Sequence, residues 1–201
     1  HTAGRLDGRL RGRIAVARAA GRPVTRRPAL QRDLLRHPRS DADGVRGVRV
    51  AVQRRATARR LQVRFAIDAD PAALRWPEPQ HPPRRRDELW RETCCELFLQ
   101  RRRETAYREW NCSPSGDWQC YEFARYRAGR DEPAVELPLI ECQHETTGWT
   151  VLIDVPLAGG RWQLGACAVL VDRDGRHDYW ALHHSSPQPD FHRADSWVLT
   201  I

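Results

Sequence analysis

Asp87-Glu88-Leu89-Trp90-Arg91-Glu92-Thr93-Cys94-Cys95-Glu96-Leu97-Phe98-Leu99, with Glu109-Trp110-Asn111-Cys112-Ser113-Pro114-Ser115-Gly116-Asp117-Trp118 after it, decides the fold class. In the first run Cys95, Leu97 and Leu99 fall on one face of an extended strand. Cys94, Glu96 and Phe98 fall on the other, because side chains alternate along a strand. In the second run, residues 105–112 and 118–126 flank a Ser-Pro-Ser-Gly turn as the two arms of a hairpin.

The same period of two recurs on either side. Val48, Val50 and Val52 alternate with Arg and Ala, and Leu61, Val63, Phe65 and Ile67 repeat the pattern after a polar turn. Pro77 to Arg86 holds four prolines and three consecutive arginines, which marks a long loop. Further strands are expected at Val135–Ile140, Trp149–Val155, Trp162–Val171, Asp178–His183 and Trp197–Ile201, with tight turns at Gly159-Gly160 and Asp174-Gly175. About ten short strands with almost no helical period predict an all-β protein. The expected form is an antiparallel β-sandwich, jelly-roll-like, over residues 34–201.

Residues 1–33 differ in kind. They are rich in Gly, Pro and Arg and form an Arg-rich N-terminal extension, with a short helix expected around Leu10–Ala20. Residues 1–60 contain 17 Arg against 4 acidic residues, and residues 61–201 contain 17 Arg against 22. The net charge of +8 therefore belongs to the leader, which suits an acidic partner or nucleic acid, and says little about the folded body. All 34 basic residues are Arg, Met is absent and Asn111 is the one Asn, a pattern GC-rich coding imposes without functional demand.

No run of 18 apolar residues is present, so no transmembrane helix is expected. No signal-type apolar stretch opens the chain, from which a cytoplasmic location is expected, although a start at His1 leaves room for an upstream segment. The six cysteines, at 94, 95, 112, 120, 142 and 167, lack Cys-x-x-Cys zinc spacing. A turn symmetric about Gly116 would make Cys112 and Cys120 near cross-strand neighbours, either bonded or as free buried thiols.

Asp87–Leu99, the Asn111–Tyr121 hairpin and the ending Tyr179-Trp180-Ala181-Leu182 to Pro189-Asp190-Phe191-His192 resemble the bacterial DOMON-like domains, which are related to the family-9 carbohydrate-binding modules. The resemblance runs from about Leu34 to Ile201, starting with His37-Pro38, and leaves the leader uncovered. It implies a β-sandwich whose relatives bind sugars or, in some members, haem. In the sugar-binding relatives a Trp and a Glu six residues later contribute to the ligand pocket, and Trp90 and Glu96 have that spacing. Cys94-Cys95, just before the Glu, departs from the pattern.

The candidate ligand-binding residues are therefore Trp90, Glu96, Asn111, Trp110 and Trp118. Flat aromatic faces suit the apolar side of a pyranose, and planar polar groups suit its hydroxyls. The competing reading makes the Trp residues core and Asn111 a turn residue bonding the Ser113–Gly116 backbone. His177, His183, His184 and His192, with Asp178 and Asp190, form a second group. Adjacent His183 and His184 on one strand would point to opposite faces, so no metal site is expected. Haem would need bis-histidine ligation, since Met is absent, and no cofactor is expected. A sugar hydrolase would have to draw on Glu96, Glu109 and Glu122 for two carboxylates about 5–10 Å apart. Ser185-Ser186 beside His184 is nonspecific, and no nucleophile motif is present. The expected function is a non-catalytic carbohydrate-binding domain. The alternative is a protein-interaction or scaffold domain whose basic tail contacts acidic partners.

Overall fold

A computed structural model describes residues 30–201. The described residues form thirteen strands: β1 (Leu30–Asp33), β2 (Leu35–Arg36), β3 (Val45–Arg55), β4 (Arg60–Ala69), β5 (Cys94–Arg101), β6 (Tyr107–Cys112), β7 (Trp118–Arg125), β8 (Ala128–Asp131), β9 (Leu139–Glu145), β10 (Gly148–Pro156), β11 (Trp162–Val171), β12 (His177–Ala181) and β13 (Leu199–Thr200). They build an all-β sandwich in which every strand pairing is antiparallel. One sheet runs β1-β3-β4-β10-β9, and the other runs β2-β12-β11-β5-β6-β7-β8 with β13 added to β11.

The expected hairpins stand, and several boundaries move. The sheet starts at Leu30, inside the segment assigned to the extension, because residues 30–33 pair with residues 49–52 of β3. The helix expected at Leu10–Ala20 lies outside the described residues. The strand expected at Val135–Ile140 begins instead at Leu139, after the Pro133 and Pro138 region, since proline cannot donate to a ladder. The last two strands shrink to His177–Ala181 and Leu199–Thr200, and the residues between them become cover rather than sheet.

The two sheets bury their faces differently. In β4 buried Leu61, Val63, Phe65, Ile67 and Ala69 alternate with more exposed residues, as expected for a sheet with one wet face. In β5 the residues from Cys94 to Leu99 are all buried, and in β11 so are those from Leu164 to Val171. Such continuous burial requires a third layer. Cys95, Leu97, Leu99, Trp110, Cys112, Trp118, Leu164, Ala166 and Ala168 face the interior between the sheets. Phe98, Tyr107, Tyr121, Phe123, Cys167 and Val169 pack on the opposite face, under Phe191 and Trp197 of the C-terminal strap.

Trp197 fastens that strap. It is 2% exposed, stacks on Phe98 at 5.6 Å between ring centroids, and donates from Nε1 to the Phe191 carbonyl at 2.9 Å. Its indole sits directly over Gly165, where a Cβ would lie 2.2 Å from the ring. Glycine is needed there to admit the ring rather than to relax the backbone.

All six cysteines are free. The hairpin register pairs Cys112 with Trp118 and Cys120 with Trp110, so the two thiols are not opposite one another. The offset arises because the turn closes through Ser113 and Asp117, with Gly116 at φ 97° near one end rather than at its centre.

Candidate functional site

The outer face of the larger sheet holds a cavity of about 450 Å³. Its floor comes from neighbouring strands. Pairing places Glu96 of β5 opposite Asn111 of β6 and Phe98 opposite Glu109, so Glu96 and Glu109 are diagonal neighbours on one face. Tyr121 and Phe123 of β7 and Val169 of β11 extend it. The walls come from loops: Trp90 on the single turn Leu89–Arg91, Pro189, Phe191 and His192 on the strap, and Arg127 and Arg130 around β8. His177 and Tyr179 of β12 complete the rim.

Each wall is held by local chemistry. Leu89 is fully buried and pins the turn that presents Trp90, whose ring meets Tyr121 edge-on at 5.9 Å. The Tyr121 hydroxyl donates to Asp87 at the base of that loop. On the far side Tyr179 and Phe191 meet edge-on at 6.3 Å. Arg127 ties the strap to β8 through Asp190, at 2.9 Å. Burial works against the Asp190 charge, but hydrogen bonds from Tyr126 and Arg127 hold its carboxyl below the ordinary value.

A polar chain runs beneath the strap. The Arg127 backbone N–H donates to the Tyr107 hydroxyl at 3.1 Å, and that hydroxyl lies 2.8 Å from His192 Nδ1. Burial first, then the Arg127 charge, pulls His192 down to about 4, so the imidazole is neutral near pH 7. Its Nε2 is 3.6 Å from Glu109 Oε2, too far for a hydrogen bond and without charge for an ion pair. Burial also lifts the Tyr107 phenol to about 12.

Both floor carboxyls are forced toward their protonated forms. Burial raises Glu109 to about 7, against the opposing Asn111 hydrogen bond and the Arg127 and Arg130 charges. Burial, with Glu109 beside it, drives Glu96 well above its ordinary value. Asn111 Nδ2 donates to Glu109 Oε1 at 2.7 Å. Glu96 is 3% exposed, and its carboxyl makes no hydrogen bond to any described residue. Its oxygens are not among the sealed polar atoms that lack a partner, so they open onto the cavity rather than into the core.

Of the residues singled out from sequence, the cavity brings together Trp90 and Glu96, with Asn111 fully buried behind Glu109. Trp110 and Trp118 do not belong to it. They point into the interior between the sheets, 0% and 7% exposed, with their rings 6.0 Å apart. Trp110 and Asn111 are consecutive on β6, and alternation sends one to each face. Asn111 bonds Glu109 rather than the turn backbone. Glu122 lies across from Arg108 on the face opposite the cavity and pairs with it at 2.6 Å.

The histidines scatter. His184 Nε2 contacts the Leu35 carbonyl at 2.8 Å, and His177 Nε2 lies 3.3 Å from that of Arg91. Among the described residues no group of three His, Cys, Asp or Glu side chains is placed to hold a metal ion. No helix among them is long and apolar enough to cross a membrane. The Arg-rich segment expected to meet an acidic partner lies almost wholly outside the described residues. A second depression, of about 480 Å³ near Gly47 and Trp149, pairs Arg46 with Asp68 and Arg49 with Asp33, and its lining includes Trp180, whose buried indole N–H has no hydrogen-bond partner among the described residues.

This architecture has a counterpart of known structure. A crystal structure of a "putative carbohydrate-binding protein" from Bacteroides uniformis matches with a TM-score of 0.58 over 84% of each chain, at 12% identity. At that identity the likeness is one of fold. No family model matches the chain, and no curated protein does.

Proposed function

We propose that this chain is a non-catalytic carbohydrate-binding domain of DOMON-like type, with the cavity over β5, β6 and β7 as its site. The carrying observation is the pairing of Trp90, a half-buried ring on a pinned turn, with the buried Glu96 facing the same cavity. A ring face covers the C–H side of a pyranose, while the carboxyls and the arginines at the mouth supply hydrogen bonds for hydroxyls. The carbohydrate-binding description of the Bacteroides fold-mate points the same way.

A binding role fits the electrostatics better than hydrolysis does. A glycosidase pair needs its two carboxyls pushed apart in proton affinity, one kept ionised and one kept protonated. Here burial is the leading influence on both, and it moves them in the same direction. Release of sugar from an aryl glycoside, lost on Glu96→Gln, would replace this reading with a hydrolase.

The direct test is a glycan array followed by calorimetry on Trp90→Ala. Because Trp90 stands on a loop outside the main core, the variant should keep its melting temperature within a few degrees. Sugar affinity should fall at least about tenfold, the effect of losing one aromatic stacking face of 1–3 kcal/mol. No binding across the array, or unchanged affinity in the variant, would sink the proposal.

A further inference from the structure

The cavity floor is acidic in composition, and no cation among the described residues pairs with it directly: Arg127 and Arg130 pull on Glu109, and Arg127 on Glu96, through their charges alone. Glu96 has no hydrogen bond to any described residue, and Glu109 receives one, from a neutral amide. The surrounding cations are engaged elsewhere: Arg127 with Asp190, Arg91 with Glu88 at 2.9 Å, and Arg130 over the Tyr121 ring at 4.9 Å. Arg130 is exposed, so solvent and salt screen it. His192 is neutral near pH 7, with Nε2 3.6 Å from Glu109, and His177 is turned to the Arg91 carbonyl. Above the carboxyls stand the Trp90, Tyr121, Tyr179 and Phe191 rings, whose faces attract cations.

Building on the carbohydrate reading of this cavity, we propose that its floor is an ammonium subsite, and that the favoured ligand is a glycan bearing a free primary amine. An ammonium carries three N–H donors and a full positive charge. It would give Glu96 its missing partner, share donors with Glu109, and sit within an aromatic wall. A hydroxyl offers one donor and no charge, and an acetamido group offers one N–H and adds bulk. Seating the ammonium requires an ionised carboxyl beneath it: Glu109, lifted to about 7, is already partly ionised near pH 7. A ligand amine that arrives uncharged takes its proton directly from a floor carboxyl, and one that arrives as ammonium displaces that proton to the buffer.

Three β-1,4-linked tetrasaccharides that differ at carbon 2 test this: the amine (chitosan type), the acetamide (chitin type) and the hydroxyl (cellulose type). Calorimetry on the wild-type chain near pH 7 should show the amine bound at least about tenfold tighter than the others, as for gaining a charge-assisted hydrogen bond. Glu96→Gln should bring the amine down to the level of the acetamide, erasing the preference among the three ligands. Equal affinity for the three wild-type ligands, or tighter binding of a neutral one, would overturn the ammonium subsite and leave the carbohydrate reading standing. Failure of all three to bind would remove both. The wild-type comparison decides the matter even if the variant folds poorly.

Discussion

Gly165→Ala will destabilise the protein by about 3 kcal/mol or more and will open the cavity at the same time. The new methyl group would lie 2.2 Å from Trp197 Cδ1 and 2.9 Å from Nε1, inside any tolerable contact. Residue 165 is in the middle of β11, hydrogen-bonded between neighbours, so the backbone has little room to yield. The indole must leave instead. It forfeits its stack on Phe98, its contact with Tyr107 at 4.9 Å and its bond to the Phe191 carbonyl. Losing a buried Trp from its place costs about 3–5 kcal/mol, and overpacking alone costs about 1–3 kcal/mol. For a domain of this size, 3 kcal/mol lowers the melting temperature by roughly 6–12 °C. A thermal melt checks the stability arm. The same substitution in a Trp197→Leu background, where the clash is relieved, should cost less than half as much. Equal costs in the two backgrounds would show that the indole is not what the glycine accommodates.

Glu109→Gln will leave the protein progressively more stable than the wild type as pH rises. A carboxyl lifted from 4.5 to about 7 binds its proton more tightly when folded. Its stabilisation is therefore complete below pH 4.5 and lost as pH climbs to about 7, a change of about 3 kcal/mol. His192 works in the opposite sense. Lowered from 6.5 to about 4, it is neutral in the fold while its unfolded counterpart charges, so its stabilisation is present above pH 6.5 and lost as pH falls toward 4. Between about pH 4.5 and 6.5 these two slopes oppose one another, and Glu96, raised by burial, adds to the fall. Glutamine keeps an oxygen to accept from Asn111 but has nothing to titrate, and it removes one influence that holds Glu96 up. Urea unfolding at a series of pH values should find variant and wild type nearly equal at pH 4, with the variant ahead by about 3 kcal/mol at pH 8. Parallel curves across that range would show that Glu109 is not the buried titrating group described.

The sandwich was legible because alternation is a local property. Val48–Val52, Leu61–Ile67 and Cys94–Leu99 each state their face without reference to the rest of the chain. Missed elements were those without a pattern of their own. β1, β2 and β8 are two to four residues long and mostly exposed, and partners rather than composition make them strands. Trp90 and Glu96 could be named from the resemblance to sugar-binding relatives, whose Trp and Glu have the same spacing. Tyr121, Tyr179 and Phe191 could not, because they meet only once sheet order and the strap are known. One signal was available and unused. Adjacent Trp110 and Asn111 cannot face the same side of a strand, whereas Glu109 and Asn111 must, so alternation alone would have exchanged Trp110 for Glu109. Trp118 is another matter: its burial depends on the Arg84–Arg86 segment laid along it, with the Arg85 guanidinium 5.3 Å over its ring. Nothing in the hairpin itself announces that cover.

The fastening of Trp197 over Gly165 also governs when the pocket comes into being. Strands that supply its acidic floor emerge from the ribosome some seventy residues or more before the indole that fastens its strap. Until residue 197 is made, Phe98 and Tyr107 lack the ring that packs on them, and the strap that walls the cavity has no anchor. Selectivity arrives last, with a single ring dropping into a notch left by a missing methyl group.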